Sequence, residues 1–382
     1  MKHRVLHVID HTGSGGAQVV IRNMVRTLKN QFSFTVAVLG NPGKYSDAYE
    51  ALGIPVLTLA NQGNQWNPSS LGRLFDTIRR ERFDLVHTHL LKASILGTIA
   101  AKWAGTKTIL HDHSGVYPQT LKYHISNGLV RSSYTYAYRY AVSHCDKVLV
   151  LTQEDVRSYL ELYSIDPHKI TILPNGVDLE EFSPPPEHQK GGPLRQELGL
   201  SADADLVVMV GRLDPKKDWL TFLQVARQVQ QQSDQSCAFL IVGSGPEEQR
   251  LREYVRAHKI ERVYFLGNRD DIPSLLHQAD VFLLTSQRES FGIAVLEAMA
   301  AGCPVVATRS GGPESILTDG ENGLLAEVGD VQGLTNHVIQ LLRDKALRQR
   351  LAHSARQTVI NRYSLENVAT RMADVYTNVL AQ

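Results

Sequence analysis

Two carboxylates and a short run of cations are where this 382-residue sequence offers its most legible chemistry. Glu289 and Glu297 are separated by seven residues, Ser290 to Leu296, in a segment that turns from a polar loop into an apolar helical run. Carboxylates accept hydrogen bonds, so a pair at this spacing suits the hydroxyls of a sugar and a ribose. A helix beginning at Phe291 leaves the N–H groups of Phe291, Gly292 and Ile293 without intrahelical partners, ready for ligand oxygens. Glu297 then lies about two turns in, among apolar neighbours, where a carboxylate needs a partner. The blander alternative makes Glu289 a helix-start charge and Glu297 a surface residue. Upstream, Gly211-Arg212-Leu213-Asp214-Pro215-Lys216-Lys217 follows an apolar strand-like run. Its cations suit a diphosphate, Arg through its bidentate fork and Lys as a point charge, or else belong to a solvated loop.

Two glycine-rich turns and a histidine pair add to this. Ile241-Val242-Gly243-Ser244-Gly245-Pro246 reads as strand, tight turn and helix start, a plan that lets backbone N–H groups approach phosphate. Asp10-His11-Thr12-Gly13-Ser14-Gly15-Gly16 follows Val5–Ile9 in the same way, and is either a ligand loop or a tight strand-to-helix turn. It is not a dinucleotide fingerprint. Gln18 stands where the third glycine is required, and Leu39-Gly40-Asn41 stands where the acidic residue is expected. His111-Asp112-His113 ends another apolar run. Two turn-borne histidines without a third ligand are thin grounds for a metal site, so none is expected.

These residues need strands and helices to hold them. Val5–Ile9, Thr35–Leu39, Val56–Leu59, Leu85–Thr88, Thr108–Leu110 and Lys147–Leu151 read as buried parallel strands. Amphipathic stretches such as Gln18–Leu28, Leu71–Arg80 and Gln153–Leu162 lie between them, the alternation of βαβ units. Ser183-Pro184-Pro185-Pro186 through Pro193 breaks the pattern as a linker. The alternation restarts at Leu206–Val210, Ala238–Val242, Val263–Leu266, Val281–Leu284 and Pro304–Ala307, and from about Gln332 the pattern is helical to the end. The expected fold is therefore α/β, with two Rossmann-like domains facing each other across a cleft. They are joined near residues 178–200, with the ligand site in the cleft. The expected domains are 1–178 and 179–363, with a C-terminal helix at 364–382 packing back on the first.

Composition narrows the class. Forty Lys plus Arg against 39 Asp plus Glu leave a formal charge of +1, so no global basic field for nucleic acid exists. At 43% hydrophobic and 21% charged the chain is globular in composition. Three scattered cysteines, Cys145, Cys237 and Cys303, suit a reducing cytoplasm without disulfides or structural zinc. The apolar run near the N-terminus is too short for a signal peptide, and no stretch approaches the ~20 apolar residues of a membrane span.

Taken in order, Gly211-Arg212 to Lys217, Gly243-Ser244-Gly245-Pro246, Glu289 with Glu297, Ala301-Gly302-Cys303-Pro304-Val305, Gly311-Gly312 and Asn322-Gly323-Leu324 form a series. It resembles that of the family 4 (group 1) retaining glycosyltransferases of the GT-B fold. Leu173-Pro174-Asn175-Gly176-Val177-Asp178, with Phe182, is similar to the segment these enzymes carry between domains. The resemblance implies a retaining transferase moving a hexose from a nucleotide-sugar (UDP-, GDP- or ADP-hexose) to a glycan or lipid-linked glycan. It places such an enzyme in bacterial surface-polysaccharide biosynthesis, in the cytoplasm or at the cytoplasmic face of the inner membrane. It implies catalytic roles for Arg212 and Lys217 on the donor diphosphate and for Glu289 on the donor sugar. Gly243, Ser244, Phe291, Gly292 and Ile293 complete the donor site, Glu297 binds the ribose, and Gly16 gives the N-terminal loop its approach. No cofactor or metal is implied, and no Asp-x-Asp metal motif is present. The family's cleft histidine corresponds to His111, which follows the strand directly, with His113 its rival. The mechanism implied is front-face substitution with the donor phosphate assisting the acceptor hydroxyl. Transfer to a small soluble acceptor, nucleotide-sugar epimerisation and non-catalytic binding are the alternatives.

The acceptor side is less defined. Between Asp112 and Asp146 no acidic residue occurs, while Lys122, Arg131 and Arg139 accompany Tyr117, Tyr123, Tyr134, Tyr136, Tyr138 and Tyr140. Such a helix either rests on anionic headgroups, grips a lipid-phosphate acceptor, or packs its aromatics on its own sheet.

Overall fold

The computed structural model describes residues 2–13, 15–59, 68–113, 126–183, 192–232 and 236–382. They form two compact units, Met1–Gly176 with Leu365–Gln382, and Val177–Ser364. The first holds a seven-stranded parallel sheet of β1 (Arg4–Ile9), β2 (Ser33–Val38), β3 (Val56–Thr58), β4 (Leu85–His89), β5 (Lys107–His111), β6 (Lys147–Val150) and β7 (Ile170–Ile172), in the order β3-β2-β1-β4-β5-β6-β7. The second holds a six-stranded parallel sheet of β8 (Asp205–Val210), β9 (Cys237–Val242), β10 (Val263–Gly267), β11 (Val281–Leu284), β12 (Val305–Thr308) and β13 (Leu324–Ala326), ordered β10-β9-β8-β11-β12-β13.

Most strand residues of both sheets are buried, because helices cover both faces. In the first unit, helices Gly16–Leu28 and Leu365–Leu380 set Ile21, Met24, Met372 and Tyr376 into one cluster with Val5, Ile9, Val36 and Leu85. On the other face Leu74, Ile78, Ala93 and Leu96 join Leu6, Val8 and Val86. Strand order reverses direction between β1 and β4, and again between β8 and β11. At such a switch point the loops leaving adjacent strands part, and the carboxyl ends of the strands border a crevice.

The elements differ from the sequence expectation in four places. Strands β7 and β13, three residues each at sheet edges, are additional. The helix expected from Phe291 starts at Ile293, because Gly292 takes a left-handed φ of 98° that ends the loop first. The boundaries between units fall after Gly176 and Ser364. The chain does not cross at the Pro/Gly-rich tract. The two crossings run side by side, with Val177 N–H donating to the Tyr363 carbonyl at 2.9 Å. Residues 184–191 of that tract lie outside the described residues.

Candidate active site

In the second unit the loops leaving β8 and β11 are stitched together at the switch point. Residues Pro215–Lys217 make one 3-10 turn, and Asp218 follows at φ 50°. Thr285, at the end of β11, donates its hydroxyl proton to the Asp218 carbonyl at 3.0 Å, and Gln287 N–H donates to the Lys216 carbonyl at 2.8 Å. Trp219, fully buried, donates its indole N–H to the Arg212 carbonyl at 3.1 Å. The backbone of the cationic loop is therefore fixed from both ends. Lys217 reaches across it to form an ion pair with Glu289, both side chains mostly buried. Arg212 stays exposed, with no ion pair among the described residues.

Glu289 is held by its backbone as well. Its N–H donates to the Ser310 carbonyl at 2.9 Å, and its carbonyl accepts from Gly312 N–H at 2.8 Å. Gly312 must be glycine, since a Cβ there would lie 2.4 Å from the Cα of Phe291. Phe291 is buried, its ring edge-on to Tyr363 at 6.0 Å. The N–H groups of Phe291, Gly292 and Ile293 have no hydrogen-bond partner among the described residues, as the start of a helix requires. Glu297 is half-buried on the same helix, and its carboxylate makes no hydrogen bond or ion pair among the described residues. Burial, with the nearby Glu181 charge adding to it, pushes its carboxyl up to about 8.

Gly243 and Ser244 have a more structural part than their motif suggests. A Cβ on Gly243 would lie 2.0 Å from the Gly211 carbonyl oxygen, and one on Gly245 would lie 2.3 Å from that of Leu213. These glycines let the β9 turn press against the cationic loop, where Leu213 N–H donates to the Ser244 carbonyl at 3.0 Å. The Ser244 hydroxyl is exposed and donates to Asn268 at 3.1 Å.

In the first unit, Gly16 is exposed at the start of its helix. Gln18, in place of a fingerprint glycine, is buried and closes the loop by donating to the His11 carbonyl at 3.0 Å. Asp10, which the sequence reading passed over, caps helix Leu91–Ala104 by accepting from Ala93 N–H at 2.6 Å. Burial raises its carboxyl to about 6 despite those bonds.

His111 is wholly buried on the face of the sheet, and neither ring nitrogen has a partner among the described residues. His113, its rival, keeps partial access to solvent. Both belong to a stack that sequence reading missed. His7 and His87 are register partners on β1 and β4, and His89 and His111 are partners on β4 and β5. The alternation His-x-His puts all five rings on one face. His7 Nδ1 lies 2.8 Å from His89 Nε2, and His89 Nδ1 lies 2.9 Å from His113 Nε2. His87 Nδ1 meets the Tyr376 hydroxyl at 2.7 Å. Burial first, and neighbouring imidazoles second, hold His87, His89 and His111 well below the usual histidine range.

Of the acceptor-side residues, Lys122, Tyr117 and Tyr123 lie outside the described residues. Helix Gly128–His144 carries Arg131, half-buried, and Arg139, exposed. Tyr138 is core, hydrogen-bonded to Tyr159 at 2.7 Å, whereas Tyr136 is 77% and Leu129 85% exposed. No helix among the described residues is long and apolar enough to cross a membrane.

An anchored cation pair, unpaired helix-start N–H groups and an unpartnered carboxylate suit a ligand with phosphates at one end and hydroxyls at the other. Residues 14–181 match Glycosyltransferase Family 4, and residues 193–358 match Glycosyl transferases group 1. The UDP-Gal:alpha-D-GlcNAc-diphosphoundecaprenol alpha-1,3-galactosyltransferase of Escherichia coli is 30% identical over 314 residues, 81% of this chain and 79% of that protein. The N-acetyl-alpha-D-glucosaminyl L-malate synthase of Bacillus anthracis is 29% identical over 319 residues, 81% and 78% of the two chains. The Anabaena protein HepE, solved in complex with UDP, shares the fold at a TM-score of 0.84 and 23% identity, covering 99% of this chain and 100% of its own. The fold is GT-B, and the chain belongs to the group 1, family 4 glycosyltransferases.

Proposed function

We propose that this glycosyltransferase moves a hexose from a nucleoside-diphosphate sugar to a glycan or lipid-linked glycan, with retention and without a metal at the diphosphate. The observation that carries this reading is the second unit's loop assembly. Lys217 is held against Glu289 by backbone bonds from both flanking loops, and Glu297 is left unpartnered one helix segment on. Arg212 and Lys217 take the diphosphate and stabilise the charge that develops on it as the glycosidic bond breaks. Glu289 and the N–H groups after it hold the sugar hydroxyls, and Glu297 takes the ribose. The donor phosphate, rather than a protein carboxylate, assists loss of the acceptor proton. A lipid-linked acceptor is favoured by the E. coli relative, whose name specifies a diphosphoundecaprenol acceptor. The exposed Leu129 and Tyr136 beside Arg131 and Arg139 fit peripheral contact with an anionic membrane.

Thermal unfolding against UDP, GDP, ADP and NAD tests the donor class. A nucleoside diphosphate at a hundred times its dissociation constant stabilises by about 2.7 kcal/mol. Wild type is expected to shift with one of the three, and Glu297→Ala to lose that shift. A response to NAD, or to none of them, overturns the reading. With the donor known, product anomer analysis tests retention, and turnover in EDTA tests metal independence. Lys217→Ala is expected to lower kcat by about 10²–10³, the size of loss when one preorganised donor to a developing anion is removed.

A further inference from the structure

The histidine stack of the first unit leaves four buried ring nitrogens without partners among the described residues: Nε2 of His87, Nδ1 and Nε2 of His111, and Nδ1 of His113. Native interiors rarely leave such atoms unpaired, because each forfeits a hydrogen bond it had in water. His111 is the extreme case. It is wholly buried, its ring lies 4.0 Å from that of His113 and 5.4 Å from that of His87, and neither nitrogen reaches a donor or acceptor among the described residues.

The sequence offered two histidines, His111 and His113, and lacked a third ligand. Strand pairing supplies it, because His89 on β4 is the register partner of His111 on β5. One nitrogen from each of His89, His111 and His113 falls within 4.8 Å of the others. We propose that His89, His111 and His113 form a binding site for a zinc-class divalent transition ion within the N-terminal unit. Three imidazoles and no oxygen donor favour zinc, cobalt, nickel or copper over magnesium or calcium.

Zinc–nitrogen bonds of about 2.0–2.1 Å set tetrahedral nitrogens about 3.4 Å apart. The His89–His113 contact at 2.9 Å must therefore open, and His111 must draw in. The hydrogen bond between His89 and His113 is given up, and the proton it shared moves to a ring nitrogen facing away from the ion. Three protein ligands leave a fourth position for water. Access is through His113, since His89 and His111 have no exposed surface. A second triad, His7, His87 and His89, shares one ligand. It is less suited, because all three rings are wholly buried and His7 and His87 already bond to His89 and Tyr376. Occupancy ties the carboxyl ends of β4 and β5 together, on one side of the switch point between β1 and β4, and does not depend on the donor-site reading of the second unit.

The test uses the untagged full-length chain, stripped with EDTA, desalted and titrated with zinc by calorimetry, with cobalt as a spectroscopic probe. One site per chain is expected, with visible cobalt bands of a nitrogen-ligated, low-coordinate ion and a melting temperature that rises with zinc and falls back with EDTA. His111→Ala and His113→Ala are each expected to weaken binding by at least about tenfold. His113 is partly exposed, so its variant reports on the site even where the buried His111→Ala is destabilised, and circular dichroism confirms each fold. His87→Ala is expected to keep the site. No binding tighter than about 100 µM overturns the proposal, as does binding indifferent to His111 and His113. Loss confined to His87→Ala also overturns it, placing the ion in the other triad.

Discussion

A carboxylate held near neutrality couples proton binding both to folding and to ligand. Glu297 titrates near 8 in the folded chain, against an ordinary value of 4.5. Between those values the folded state binds more protons than the unfolded one, so this residue's contribution to stability falls as pH rises from about 4.5 through 8. Glu297→Gln removes the ionisation. Its unfolding free energy, relative to wild type, is expected to improve by on the order of 2 kcal/mol between pH 5 and pH 8, less than full burial would give because the carboxyl is partly solvated. Denaturant melts at both pH values check this, and a constant difference between the two proteins removes Glu297 as the titrating group. Ribose hydroxyls donate to the carboxylate form, so nucleotide binding near pH 7 is expected to release up to about one proton. Calorimetry in two buffers of different ionisation heat measures it. Affinity should rise with pH toward 8 in wild type and stay flat in the glutamine variant.

At the scale of elements, the second unit's site depends on loops packed closer than side chains allow. Gly312 is the case next to Glu289, with room for no Cβ above the Phe291 backbone. Gly312→Ala is expected to cost about 1–3 kcal/mol, as overpacking does, and to weaken nucleoside-diphosphate binding by displacing Glu289. Unchanged affinity alongside lowered stability would uncouple the loop from the site. The proposed membrane contact is also an element's property. Leu129→Ser with Tyr136→Ser removes exposed apolar area from one helix face and is expected to reduce sedimentation with anionic vesicles without lowering the melting temperature. These features were unequally legible. Long apolar runs disclosed most strands, because strands covered on both faces need no alternation. The three-residue β7 and β13 carry too little pattern to stand out. Glu289 and Lys217 were visible as residue types in loops after strands, and Glu297 in the helical run that follows, but the Lys217–Glu289 pair depends on which strands are neighbours. The histidine stack was hidden for the same reason. His87-x-His89 and His111-x-His113 each announce one face of a strand, and only register shows that the faces coincide. Gly243 and Gly245 looked like a phosphate turn, whereas their first duty is steric.

For the whole molecule, the path of the chain assigns the functions to separable pieces. The last helix, Leu365–Leu380, returns to the first unit and buries Val368, Met372, Tyr376 and Val379 in the cluster that contains Val5, Ile21 and Leu85. Tyr376 also bonds His87 within the histidine stack. The first unit therefore lacks part of its core without residues 365–380, whereas the second is closed in sequence from Val177 to Ser364. That second unit carries a charge network of its own. Arg195 and Asp280, both buried, pair at 2.8 Å, and Asp280 also accepts from Leu206 N–H at 3.0 Å. Arg212, Lys217, Glu289 and Glu297 all lie in this unit. A fragment of residues 177–364 is thus expected to fold cooperatively by itself and to bind the same nucleoside diphosphate as the full chain within about tenfold, without transferring sugar. Residues 1–176 alone are expected to stay incompletely folded until a peptide of residues 365–382 is added. Circular dichroism melts and nucleotide titration of the two fragments decide it. A folded 177–364 fragment that ignores the nucleotide would mean that the donor site needs residues of the first unit as well.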